Sequence, residues 1–181
     1  MLKRTDIEIM APVGSWESLA AALDGGADAV YFGAGGLNMR ARSSVNFSLD
    51  DLGRIVAATR ARGVKSYLTV NTILYDEDVA QMRAIVDRAA AEGVDAIIAA
   101  DQAAITYAAD RGVEVHISTQ LNLSNTEAVR FYAQWADVVV LARELNLEQI
   151  AAIHNNVERE NICGPSGKPV KIEMFAHGAL C

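Results

Sequence analysis

With 181 residues, 51% of them hydrophobic and 22% charged, the chain can bury one substantial core and has the charge content of an ordinary soluble protein. A net charge of −7 gives no bulk attraction to nucleic acid, and no apolar run approaches the roughly 18 residues of a membrane span. The opening MLKRTDIEIMAP lacks a signal peptide's apolar stretch, and two cysteines, Cys163 and Cys181, cannot build a disulfide framework, so a cytoplasmic domain without membrane attachment is expected.

Short apolar runs alternate with helical patterns along the chain. Strands are predicted at Ile7–Met10, Ala29–Phe32, Lys65–Val70, Ala96–Ala99, Val113–Ile117, Val138–Leu141 and Val170–Phe175. They are rich in Val, Ile, Tyr and Ala and mostly apolar without alternation, which is how buried parallel strands read. The helices between them carry their own punctuation. Ser15 caps Trp16–Leu23, which Gly25-Gly26 stops; Ser48 and Asp51 form a capping box for Leu49–Ala61, which Gly63 ends. Asp76 caps Glu77–Ala91 before Gly93, and Asp101 caps Gln102–Ala109 before Gly112. Asn125–Trp135 and Leu147–Val157, the latter capped by Asn146, complete the set. Three joints echo one another: GADAV at 26–30, GVDAI at 93–97 and WADVV at 135–139. In each an acid precedes a strand just after a helix, where its carboxylate stays solvated or binds loop amides.

About seven strands and six helices in alternation define an α/β fold with right-handed crossovers. A doubly wound nucleotide-binding fold would open with Gly-x-Gly-x-x-Gly after its first strand, but Ala11-Pro12-Val13-Gly14-Ser15 stands there. Polar residues close almost every strand, as a barrel with a site at its strand ends requires. The expectation is one domain over 1–181, an incomplete TIM-type (β/α) barrel truncated at its carboxyl end, with the last unit missing. Open sheet edges would then favour homo-oligomers.

The candidate site residues follow from those strand ends. GAGGLNMRARSSVNF at 33–47 combines glycines with Arg40 and Arg42, either an anion cradle or a solvated loop. Asn71, Asp101 and Gln120 offer amide and carboxylate groups to a polar substrate, although Asp101 has a competing role as a helix cap. Arg143 and Glu144 would hold a carboxylate-bearing substrate or pair with neighbours. His116, inside a strand, reads as a hydrogen-bonded core histidine, and His154 as a surface residue. Cys163 sits in NICGPSGKP, which lacks phosphate-loop spacing and reads as an exposed linker. His177 and Cys181 close EMFAHGALC; three or four ligands for zinc, or about four cysteines for an iron–sulfur cluster, are not met locally.

EMFAHGALC resembles the first half of the signature of peptidase family U32, with Glu173, Phe175, Gly178, Ala179, Leu180 and Cys181 matching. Ala11-Pro12-Val13-Gly14, GADAVYFG, Arg40-Ala-Arg42, VNTIL, Asp95 with Asp101, HISTQ and LARELNLEQI resemble further family landmarks in order. The resemblance implies a TIM-type barrel. It also implies one of the family's activities: hydroxylation of tRNA or rRNA bases, oxygen-independent hydroxylation of ubiquinone, or the collagenase-like proteolysis for which members are named. HISTQ, LARELNLEQI and AHGALC are most similar to the RNA hydroxylation branch. By the same resemblance Cys181 corresponds to a ligand of a four-iron four-sulfur cluster in a longer chain, with RNA and a small carboxylate such as prephenate as partners. The remaining expectation is an inactive fragment or scaffold that self-associates.

Overall fold

The computed structural model describes residues 3–4, 7–39 and 47–177. Arg40, Arg42 and Cys181 lie outside the described residues. Among those described, seven parallel strands alternate with six α-helices, in two compact units, Met1–Val113 and Glu114–Cys181.

The first unit holds β1 (Met10–Pro12), α1 (Trp16–Asp24), β2 (Ala29–Gly33), α2 (Leu52–Arg60), β3 (Lys65–Val70), α3 (Val79–Glu92), β4 (Ala96–Ala99) and α4 (Gln102–Asp110). Its strands pair in chain order, with Met10 opposite Ala29, Tyr31 opposite Tyr67 and Tyr67 opposite Ala96. Side chains alternate between the faces. Ala29, Tyr67, Ala96 and Ile98 form one buried cluster on one face, with Met10 and Tyr31 packed against it. The alternate positions Val30, Phe32, Leu68, Val70 and Ile97 are also fully buried, as are Ile55, Ile85 and Ile105 of the helices. Each large aliphatic side chain so buried contributes about 1.5–3 kcal/mol. Burial on both faces explains why these strands show no polar alternation.

The second unit holds β5 (Glu114–Ile117), α5 (Thr126–Tyr132), β6 (Val138–Val140), α6 (Leu147–Arg159) and β7 (Lys171–Glu173). His116 lies opposite Val138, and Val138 opposite Lys171.

The capping chemistry is largely as read from the sequence. Ser15 forms a capping box with Ser18, Ser48 with Asp51, and Asn146 with Gln149. Both α2 and α3 are preceded by a single 3-10 turn, Leu49–Asp51 and Asp76–Asp78. Asp76 is not the cap of α3: Tyr75 holds the position before the turn, and its N–H donates to Asp78 at 3.0 Å. The first strand also differs from expectation. Ile7 and Ile9 are 55% and 49% exposed, and pairing begins only at Met10, because the Ile9 N–H is taken by the Asp28 carboxylate at 2.7 Å.

The repeated acid before a strand is a repeated clamp. Asp28 accepts from Ile9 N and Arg4, Asp95 from Ser66 N at 2.8 Å and Ser66 Oγ at 2.9 Å, and Asp137 from Ser166 N at 3.1 Å and Ser166 Oγ at 2.7 Å. Each ties the amino end of one strand to the segment leading into, or beginning, its neighbour. NICGPSGKP is therefore more than a linker. Its residues 165–169 are exposed, but Ser166 is clasped by Asp137, and Cys163 pairs with Pro169 in an antiparallel bridge.

Candidate functional site

The strand-end residues fall into two groups, one in each unit. In the first, Asn71 follows β3 and Asp101 follows β4, both half-buried. The Asn71 side-chain oxygen accepts from Met39 N at 3.2 Å, which fastens the segment after β2 to the end of β3. That segment is set by Gly33 at the end of β2. A methyl group there would stand 2.3 Å from Asn38 Oδ1, so the absent side chain leaves room for the buried Asn38 amide, which donates to Gly35 O at 3.0 Å. Asp101 uses its two oxygens on two loops: Oδ1 accepts from Ala103 N at 2.9 Å, and Oδ2 from Leu74 N at 3.4 Å. The cap reading of Asp101 is thus correct, and the same carboxylate also holds the loop after β3. Between these fixed points Ile73 is 78% and Tyr75 65% exposed.

In the second unit, Gln120 follows β5, Arg143 and Glu144 follow β6, and His177 follows β7, all exposed. Gln120 rides on a 3-10 turn, Thr119–Leu121. Ser118 opens the turn by accepting from Gln120 N at 3.4 Å, and Asn122 closes it in the left-handed region at φ 52°, a conformation asparagine tolerates. The Thr119 hydroxyl donates to Leu141 O at 3.2 Å, Leu123 bridges Leu141, and Ala142 N donates to Leu123 O at 2.8 Å. The loop after β5 and the end of β6 are therefore one hydrogen-bonded piece. His116 is 2% exposed, with Nε2 3.1 Å from Glu114 Oε1, a core histidine as expected; His154 is exposed on α6.

Asn71, Asp101 and Gln120 are legible in the sequence as strand-end candidates, whereas the groups that position them depend on contacts between segments. Thr119 stands among the strand-end polar residues of STQ, but its bond to Leu141 and that of Asn38 to Gly35 come from the structure. Their signals were the hydroxyl beside Gln120 in STQ, and an asparagine five residues beyond the strand-end glycine.

An iron–sulfur cluster takes about four cysteine thiolates. Cys163, half-buried, lies in the connection leading into β7, whereas Cys181 comes after that strand in sequence. Two cysteines are fewer than the roughly four that such a cluster takes, so this chain by itself does not complete one. Among the described residues, no group of three or more His, Cys, Asp or Glu side chains is placed to hold a metal ion. No helix among them is long and apolar enough to cross a membrane.

Parallel βα units with polar residues at the carboxyl ends of the strands define a barrel-type α/β protein. Residues 14–181 match the model of peptidase family U32, and the chain belongs to that family. It is 64% identical over 176 residues to a protein named collagenase from Porphyromonas gingivalis, covering 97% of this chain and 42% of that one. It is 34% identical over 176 residues to a 23S rRNA 5-hydroxycytidine synthase of Escherichia coli, covering 97% of this chain and 25% of the relative. The chain thus spans less than half the length of these curated relatives. A solved structure of a U32 peptidase superposes with a TM-score of 0.69 at 16% identity, over 92% of this chain and 66% of that one. The likeness shows the fold, an incomplete α/β barrel.

Proposed function

We propose that this chain is the amino-terminal barrel portion of an RNA-modifying enzyme that hydroxylates a pyrimidine base of tRNA or rRNA. The observation that carries the reading is the similarity to the 23S rRNA 5-hydroxycytidine synthase, which runs over 97% of this chain. The chemistry of those ends supports it. The exposed amide of Gln120 presents a donor and an acceptor, matched to the edge of a heterocycle. The guanidinium of Arg143 suits a phosphate or the carboxylate of a small co-substrate of the prephenate kind. Cys181 enters the proposal as one cluster ligand in a protein whose other thiolates come from outside this chain.

The test is nucleoside mass spectrometry of total RNA from cells with and without the gene. Loss of one hydroxylated pyrimidine nucleoside is expected, and restoration by the intact gene. An unchanged nucleoside profile overturns the reading. Iron counting on the intact protein addresses the ligand role separately: Cys181→Ala should lower the iron content.

A second reading, peptidase activity, is favoured by the 64% identity to the protein named collagenase. Cleavage of gelatin by the intact purified protein, together with an unchanged nucleoside profile, would establish it in place of the first.

A further inference from the structure

We infer that Thr119 is a positioning residue that fixes the Gln120 amide relative to Arg143, so that the two read one pyrimidine nucleotide, Gln120 the base edge and Arg143 the phosphate. The inference rests on the RNA reading and deepens it.

Gln120 and Arg143 belong to different loops, separated by α5 and β6. Exposed side chains on independent loops lose much of any joint binding energy to the ordering of those loops. Here that cost is already met. The Thr119 hydroxyl donates to Leu141 O, two residues before Arg143, and the Ala142 N–H, one residue before it, donates to Leu123 O. Leu141 N in turn donates to Glu173 O at 3.3 Å in β7, so the residue whose carbonyl receives Thr119 is tied to β7 as well. Within the turn, Leu121 N donates to Ser118 O at 3.1 Å and Asn122 N to Thr119 O at 2.9 Å. The backbone under Gln120 has little freedom, while its side chain is left exposed at the end of the strand. A primary amide pairs with a base edge through one donor and one acceptor, and a guanidinium fork matches a phosphate. A nucleoside monophosphate presents both features on one small molecule.

Uridine 5′-monophosphate and ribose 5-phosphate, titrated into the chain by calorimetry, separate the two contacts. Gln120→Leu is expected to weaken uridine 5′-monophosphate by about tenfold, the scale of one paired base contact, and to leave ribose 5-phosphate unchanged. Arg143→Leu is expected to weaken both. Thr119→Val, which keeps the shape and removes the hydroxyl, should reproduce the Gln120→Leu pattern. Thr119→Ser, which keeps the hydroxyl, should restore binding; a merely structural threonine would not separate the two ligands in this way. No binding of uridine 5′-monophosphate by the wild type, an unaffected Gln120→Leu, or equal behaviour of Thr119→Val and Thr119→Ser each overturns the inference. Retention of the RNA phenotype alongside any of these leaves the hydroxylation reading standing and removes only the residue assignment.

Discussion

Gly164→Ala tests whether the clasp around Asp137 holds the second unit together. A methyl group at this position would lie 2.3 Å from Asp137 Oδ1, 2.6 Å from Ala136 O and 2.9 Å from the Asp137 Cα. Two of these three atoms are backbone, so no side-chain rotation relieves the contact. The segment must move away, and with it the two bonds from Ser166 to the carboxylate and the Gly164 N–H bond to Lys168 O at 3.0 Å. Overpacking costs about 1–3 kcal/mol. Hydrogen bonds to a charged group are worth about 1.5–3 kcal/mol, taken at the low end because Ser166 is exposed. The expected loss is about 3 kcal/mol, or a melting temperature lower by about 6–12 °C for a chain of this size. Gly167→Ala is the control. Gly167 has φ +73° with nothing within 4 Å, so it bears only the left-handed backbone penalty, about 1 kcal/mol. Trp135 lies in the second unit and Trp16 in the first, so Trp135 fluorescence in a Trp16→Phe background follows the relevant transition. A Gly164→Ala protein melting within about 2 °C of its parent, or no more impaired than Gly167→Ala, would refute the steric argument.

Asp95→Ala removes the acceptor for both the backbone and hydroxyl donors of the fully buried Ser66, and should cost about 2 kcal/mol in urea unfolding. If Ser66→Ala in the Asp95→Ala background adds its full separate cost, the two do not act as a pair. Gly33→Ala should displace the Asn38 amide from its place over the end of β2, costing about 1–3 kcal/mol by overpacking, and a crystal structure with Asn38 unmoved would contradict this. On acidification, the hydrogen bond from Ile9 N and then that from Arg4 hold the Asp28 carboxyl below its ordinary range, and the Ser48 side chain and backbone do the same for Asp51. A carboxyl with a depressed folded-state pKa adds stability that is present above its unfolded pKa and lost as pH falls through the folded one. Melting temperature should therefore drop between about pH 5 and pH 2, and the drop should be shallower in Asp28→Asn. An identical acid limb in that variant would show that the Asp28 clamp is not titrating.

What the sequence disclosed was local, and what it concealed depended on neighbours. Lys65–Val70 and Ala96–Ala99 were legible to the residue, because a glycine-terminated helix precedes each and both faces of the strand are apolar. Ser15, Asp101 and Asn146 declared themselves as caps because capping is decided within about four residues. The first and last strands were misplaced because pairing partners, not propensity, set their limits. Ile7–Met10 looks like a strand, but Asp28 takes the Ile9 N–H. Val170–Phe175 was read too long because β6 offers a ladder only over Val138–Val140. The candidate site divides in the same way. Strand-end polarity could be counted from the sequence, whereas the bonds from Met39 N to Asn71 and from Thr119 to Leu141 depend on which residues the register brings side by side.

Asp95 and Asp101 stand at the two ends of β4 and show how one residue type serves two purposes. Asp95 precedes the strand and spends a single oxygen on both donors of one residue, Ser66, whose side chain is buried. That arrangement fixes two neighbouring strands at their amino ends and engages no loop beyond them. Asp101 follows the strand and divides its oxygens, one to its own helix at Ala103 and one to Leu74 in the loop after β3. It therefore couples two segments at the end where the exposed Ile73 and Tyr75 project. The echo of acids before strands is thus a record of stability at the amino ends. The acid and amide after β4 and β3, Asp101 and Asn71, act differently: each holds a loop that follows a strand rather than the start of a strand.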